Sequence, residues 1–90
     1  MERLHVIYKG LVQGVWFRAN CRKKALDLGL MGWVRNLPDG TVESVAEGSK
    51  EDLLELVRWC SNDQPYAKVR GTEVRWEKYE GKFEGFNIVR

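Results

Sequence analysis

A chain of 90 residues with 43% hydrophobic content has room for one domain, 1–90, and one core. Its formal net charge of +2, with 31% charged residues, carries no concentrated basic excess, which argues against a general nucleic-acid binder. A single histidine and two cysteines leave no material for a His-based metal centre, a Cys-rich zinc site or a disulfide framework, so any hydrolysis is expected to proceed without zinc, and no metal or cofactor is assigned to the chain.

Leu4, Val6 and Tyr8 alternate with His5, Ile7 and Lys9, which predicts a strand over 3–10 with one buried face. Gly10-Leu11-Val12-Gln13-Gly14-Val15-Trp16-Phe17-Arg18 follows it. Beyond that segment, Cys21, Ala25 and Leu28 repeat at helical spacing, predicting a helix over 19–28 with Gly29 as its C-terminal cap. A strand that turns through a glycine loop into a helix N-terminus aims backbone N–H groups at one point. The helix dipole adds about half a positive charge there. Arg18 would add a planar, permanently charged fork suited to phosphate. No Gly-Lys-Ser/Thr follows, so the segment is not a Walker loop.

Gly32 to Asn36 predicts a second strand, Leu37-Pro38-Asp39-Gly40 a turn, and Thr41 to Glu47 the returning strand of a hairpin. The small set Val42, Ser44 and Ala46 suits a sheet face that lies close under helices. Ser49 and Asp52 form a capping pair before Leu53, Leu56, Val57 and Cys60, the clearest amphipathic helix in the chain, expected to run to about Ser61. Residues 62–65 end it. A strand over Lys68–Tyr79 breaks parity between Val69 and Val74, which predicts a bulge near Gly71-Thr72. After a turn at 80–82, Phe83 to Val89 is read as the last strand, in two parts or paired as a hairpin. The order βαββαβ with right-handed crossovers gives an α+β, ferredoxin-like sandwich: a mostly antiparallel sheet with two helices on one face.

Loop residues Gln13, Gly14, Val15, Trp16, Phe17 and Arg18 are the candidate phosphate cradle. Asn36, at the end of the second strand, is the candidate for placing a water, since an amide oxygen accepts a hydrogen from water while its nitrogen donates elsewhere. Arg35 has the opposite strand parity and is read as a solvated side chain; Asp39 and Gly40 are read as turn residues. Lone His5 is read as a surface or edge residue, and Trp33, Trp59 and Trp76 as packing residues. Cys21 and Cys60 fall on the inner stripes of two helices expected to run antiparallel. Two buried thiols acting as small hydrophobes is the favoured reading over a disulfide.

The segment 10–18, and the block Gly32-Trp33-Val34-Arg35-Asn36-Leu37-Pro38-Asp39-Gly40-Thr41-Val42-Glu43, resemble in order and spacing the two motifs of the acylphosphatases. Phe86-Asn87-Ile88 resembles that family's closing stretch, so the likeness covers nearly the whole chain. The resemblance implies a ferredoxin-like fold and hydrolysis of an acyl phosphate to a carboxylate and inorganic phosphate, without a metal or a covalent enzyme intermediate. It implies that Arg18 is the phosphate-binding catalytic residue and that Asn36 orients the attacking water. Trp16 departs from the commoner, smaller residue at its position, which bears on acyl-group size.

Charges at Glu2, Arg3, His5, Lys9 and Arg18 leave no signal-peptide core, and the longest uncharged stretch, Gly10–Phe17, is too short for a membrane span. A cytoplasmic monomer acting on a small-molecule acyl phosphate is expected, with no nucleic acid and no membrane. Three rivals stand beside it. An RNA-stacking face is disfavoured because 41–47 has two glutamates and no aromatic. A carbamoyl-phosphate-processing module would belong to a larger protein, and a non-catalytic phosphate-binding relative would have no need of both Arg18 and Asn36.

Overall fold

The computed structural model describes residues 1–90. The elements run β1 (Glu2–Leu11), α1 (Phe17–Asp27), β2 (Met31–Asn36), β3 (Val42–Gly48), α2 (Lys50–Asn62), β4 (Lys68–Glu77) and β5 (Phe86–Ile88). The strands form one sheet in the order β4-β1-β3-β2-β5, antiparallel except where β5 pairs with β2. This is the expected α+β, ferredoxin-like arrangement with a fifth strand on one edge.

Period-two burial builds the core. Leu4, Val6 and Tyr8 of β1, Val34 of β2, and Val42 and Ala46 of β3 are buried in one cluster. α1 adds Phe17, Cys21 and Ala25, and α2 adds Leu53, Leu56 and Cys60. α1 packs against β2 and β5, α2 against β4, β1 and β3, and the two helices touch. α2 opens as expected, with Ser49 Oγ accepting the Asp52 N–H at 3.2 Å. α1 closes in a Schellman motif, where the Leu30 N–H bonds the Ala25 carbonyl and the Gly29 N–H that of Leu26.

Several expectations are corrected. The bulge lies one residue earlier: Lys9 faces Gly71 and Gly10 faces Val69, leaving Arg70 as the extra residue. The last strand is not Phe83–Val89, nor half of a hairpin with β4. β4 and β5 occupy opposite edges of the sheet, and residues 78–85 cross between them. The buried Glu47 carboxylate anchors that crossover by accepting the Glu80 N–H at 2.9 Å and the Gly81 N–H at 3.1 Å. Arg3 bridges the same carboxylate to Glu77 and Glu80. Of the two readings of His5, surface or edge, the edge fails: it is part-exposed on interior strand β1, bonded to Glu43 at 2.7 Å. Trp76 packs less than expected: it lies 42% exposed on edge strand β4, beneath the Lys50 ammonium.

No helix is long and apolar enough to cross a membrane. Cys21 and Cys60 are both buried and free.

Candidate functional site

β1 and β2 end at the same end of the sheet, because both run antiparallel to β3: Tyr8 and Asn36 face Val42 from either side. The chain leaves β1 there, anchors on buried Val12, and turns back into α1. Two left-handed residues make the turn possible: Gly14 at φ 73° and Trp16 at φ 62°, ψ 16°. Trp16 is the one non-glycine residue of the chain with positive φ, a conformation that costs an L-residue about 1–2 kcal/mol. Such strain concentrates where a loop must present its backbone to a ligand.

Trp16 is also the N-cap of α1, and it offers no side-chain acceptor to the first turn. The first N–H groups of a helix lack intrahelical partners, and here no side chain caps them. No acidic residue occupies the first turn either. An uncapped helix start behind a strained glycine turn is an electropositive, donor-rich point suited to an anion.

Arg18 completes it. It is half-buried and forms no ion pair with any carboxylate of the chain. Arg3, Arg35 and Arg58 are bound to carboxylates and Arg22 to the Phe86 carbonyl. Of the remaining arginines, Arg70, Arg75 and Arg90 are exposed, so Arg18 alone is a part-desolvated guanidinium with its fork unspent. It lines a cavity of about 370 Å³. Gly14 and Arg18 form its polar side, while Val12, Trp16, Phe17, Ala19 and Ile88 form the rest. A polar corner is thus joined to an apolar wall.

Asn36 is not part of that wall. It ends β2 on the core-facing side in register with Val42, half-buried. Its Oδ1 is buried without a hydrogen-bond partner. Ser61 Oγ and Gln64 Oε1 share that status, but only the Asn36 acceptor lies at the end of the sheet where the loop 12–16 leaves β1. An orphaned buried acceptor costs about 1–3 kcal/mol, so a water or ligand bonding there is favoured. It does not cap the turn before Pro38: Leu37 and Thr41 close that turn through their backbones, and Asp39 Oδ1 takes the Thr41 N–H and hydroxyl.

Gln13 behaves unlike the rest of the cradle. Its side chain turns away from the cavity and donates to the carbonyls of Leu37 and Thr41, both at 2.9 Å. Arg35 is no second anion clamp, because its guanidinium is bound to Glu43 at 2.7 Å and stacked over Trp33. Val15 is half-buried against the core, and Phe17 is buried edge-on to Tyr8, with ring centroids 4.9 Å apart. Behind Phe17, burial, first, and the neighbouring thiols push the Tyr8 hydroxyl well up; burial likewise raises the Cys21 thiol. Both therefore stay protonated at neutral pH, and no charge develops in the core behind Phe17.

Sequence reasoning missed two contributors. Ile88 walls the cavity only because β5 adds to the edge beside β2. Gln64, read as part of a helix terminator, is buried and donates to the Phe17 carbonyl and to Cys21 Sγ, both at 3.2 Å. Nothing in its local pattern announces burial. No cluster of three or more His, Cys, Asp or Glu side chains exists to hold a metal ion.

The acylphosphatase family model matches residues 4–88. The chain is 51% identical to the acylphosphatase of Methylococcus capsulatus, covering 100% of this chain and 98% of that one. It is also 51% identical to the acylphosphatase of Pelotomaculum thermopropionicum, covering 97% and 95%. The crystal structure of the Bacillus subtilis acylphosphatase superposes with a TM-score of 0.95 at 36% identity, over 100% of both chains.

Proposed function

This chain belongs to the acylphosphatase family, hydrolases of acyl phosphates, and from that premise we propose how its residues divide the work. The amides of residues 14–18 and the Arg18 guanidinium hold the phosphoryl group, and Asn36 places the attacking water. Hydrolysis joins a water oxygen to phosphorus and breaks the bond between phosphorus and the acyl oxygen. The pair of electrons leaves with a carboxylate, a good leaving group that needs no acid. The water's proton passes to phosphate oxygen. The protein's contribution is then orientation and positive charge at the equatorial oxygens. Arg18 and the start of α1 supply that charge, so the reading requires no metal.

The observation that carries this is Arg18: half-buried, without an ion pair, on a cavity that opens at an uncapped helix N-terminus. The apolar remainder of the cavity fits the acyl group, so an aromatic or branched acyl phosphate is the preferred class over carbamoyl phosphate. We further place the chain in the cytoplasm as a monomer that needs no nucleic acid. Its buried free thiols suit a reducing compartment, and edge strand β4 is guarded by alternating charges and a bulge.

The test is benzoyl phosphate hydrolysis in excess chelator. Arg18→Ala is expected to lose about 10³-fold or more in kcat/KM and to lose inhibition by inorganic phosphate. Asn36→Ala is expected to lose about 10²-fold in kcat while phosphate inhibition persists. Full turnover by either variant overturns its assigned role. A wild-type chain that binds phosphate but hydrolyses nothing would be the non-catalytic relative instead.

A further inference from the structure

The two halves of the proposed machinery sit on different pieces of chain, the loop 14–18 on one side and Asn36 at the end of β2 on the other. In-line attack needs them held at a fixed separation, because a misplacement of about 1 Å can cost on the order of 10²-fold in rate. One side chain spans them. Gln13, immediately before Gly14, sends Nε2–H bonds of 2.9 Å to the Leu37 and Thr41 carbonyls. Leu37 follows Asn36, and Thr41 precedes Val42, the register partner of Asn36. The amide therefore grips both arms of the β2–β3 hairpin at the step next to Asn36. The other side-chain hydrogen bond reaching the loop, from Gln64 to the Phe17 carbonyl, ties it to the end of α2 and not to the hairpin.

The carbonyls it holds are already engaged: that of Leu37 accepts the Gly40 N–H, and that of Thr41 accepts the Leu37 N–H. The hairpin would close without Gln13, so the amide is not needed to form the turn. What it adds is a fixed distance between turn and loop. The Gln13 side chain is only part-buried and makes no contribution to the buried core cluster.

We propose that Gln13 is a positioning residue for acyl-phosphate hydrolysis, setting the place of the Asn36 amide relative to phosphate bound at 14–18. This rests on the role proposed above for Asn36. It also separates Gln13 from the cradle residues: it binds no phosphate through its side chain and acts through the hairpin.

The experiment is a double-mutant cycle on the full chain with benzoyl phosphate. Gln13→Met keeps the length without donors, and Gln13→Glu keeps the shape but sets an acceptor against two carbonyls. Each is expected to lower kcat by about 10²-fold. KM and the inhibition constant for inorganic phosphate should stay within about threefold, because Arg18 and the loop amides are untouched. In an Asn36→Ala background, Gln13→Met should cost less than about threefold more, since the residue it positions is gone. Full additivity, an unchanged kcat, or a loss that falls on phosphate inhibition overturns the proposal. So does a Gln13→Met chain that fails to fold, which would make the amide structural. If Asn36→Ala alone keeps wild-type turnover, the Asn36 assignment fails on its own, distinguishably from a normal Asn36 effect with additive Gln13.

Discussion

Cys21 on α1 and Cys60 on α2 point their sulfurs at each other across the helix interface, 2.8 Å apart, although 39 residues separate them in sequence. Both are buried and free, so they pack as small hydrophobes and not as a staple. Burial raises the Cys21 thiol, so little thiolate forms at neutral pH, and no reagent reaches it without opening of the helix pair. In the native protein neither thiol should react with an aromatic disulfide reagent over minutes, whereas in denaturant both should react at once. Rapid native titration of even one thiol would contradict the packing.

The outer sheet face predicts a pH dependence. Burial raises the Glu43 carboxyl, but hydrogen bonds from His5 and Arg35 outweigh it, and the net shift is downward from 4.5. A depressed carboxylate contributes stability above its unfolded pKa and loses it as pH falls through the folded value. Glu43→Gln should therefore be less stable than wild type at neutral pH. The gap should shrink on acidification below about pH 4.5. Denaturant midpoints of the two chains across that range check the sign; a gap that widens in acid would refute it.

Two glycines separate steric from conformational demand. A Cβ at Gly32 would run into the Val45 carbonyl of the neighbouring strand, at a position of φ 148°. Gly32→Ala should cost about 3 kcal/mol or more, because the obstacle is backbone in mid-sheet. Gly14 at φ 73° has open space where its Cβ would go, so Gly14→Ala should cost only the left-handed penalty of about 1–2 kcal/mol. Urea unfolding of both variants distinguishes the two cases.

Local pattern made most of this fold legible, and the limits have a common cause. Alternation in β1 placed Leu4, Val6 and Tyr8 inward, and the parity break after Val69 located a bulge to within one residue. Arg18 and Asn36 stand out as candidates in the sequence because each lies within a contiguous motif, and the structure sets them on opposite sides of the same end of the sheet. What failed depends on which distant strand a segment joins. Phe83 and Glu84 belong to the crossover and not to β5, whose contact with β2 begins only where the Gly85 carbonyl accepts the Gly32 N–H, and Glu47 holds the start of that crossover through the Glu80 and Gly81 amides. Sequence gives no direction to a side chain, so Gln13 reads there as one of the cradle residues; only the closed hairpin shows where its donors go. Trp16 announced its bulk but not its left-handed backbone.

The edge position of β5 has a consequence in time. During vectorial synthesis the loop and Arg18 emerge within the first eighteen residues, and Asn36 soon after, but Ile88 is still to come. Interior strand β1 must also wait for β3 and then β4 before both of its edges are satisfied. Pairings so distant in sequence incur loop-closure entropy before they gain any contact, which slows folding. The wall that Ile88 adds to the cavity is thus the last part of it to be made.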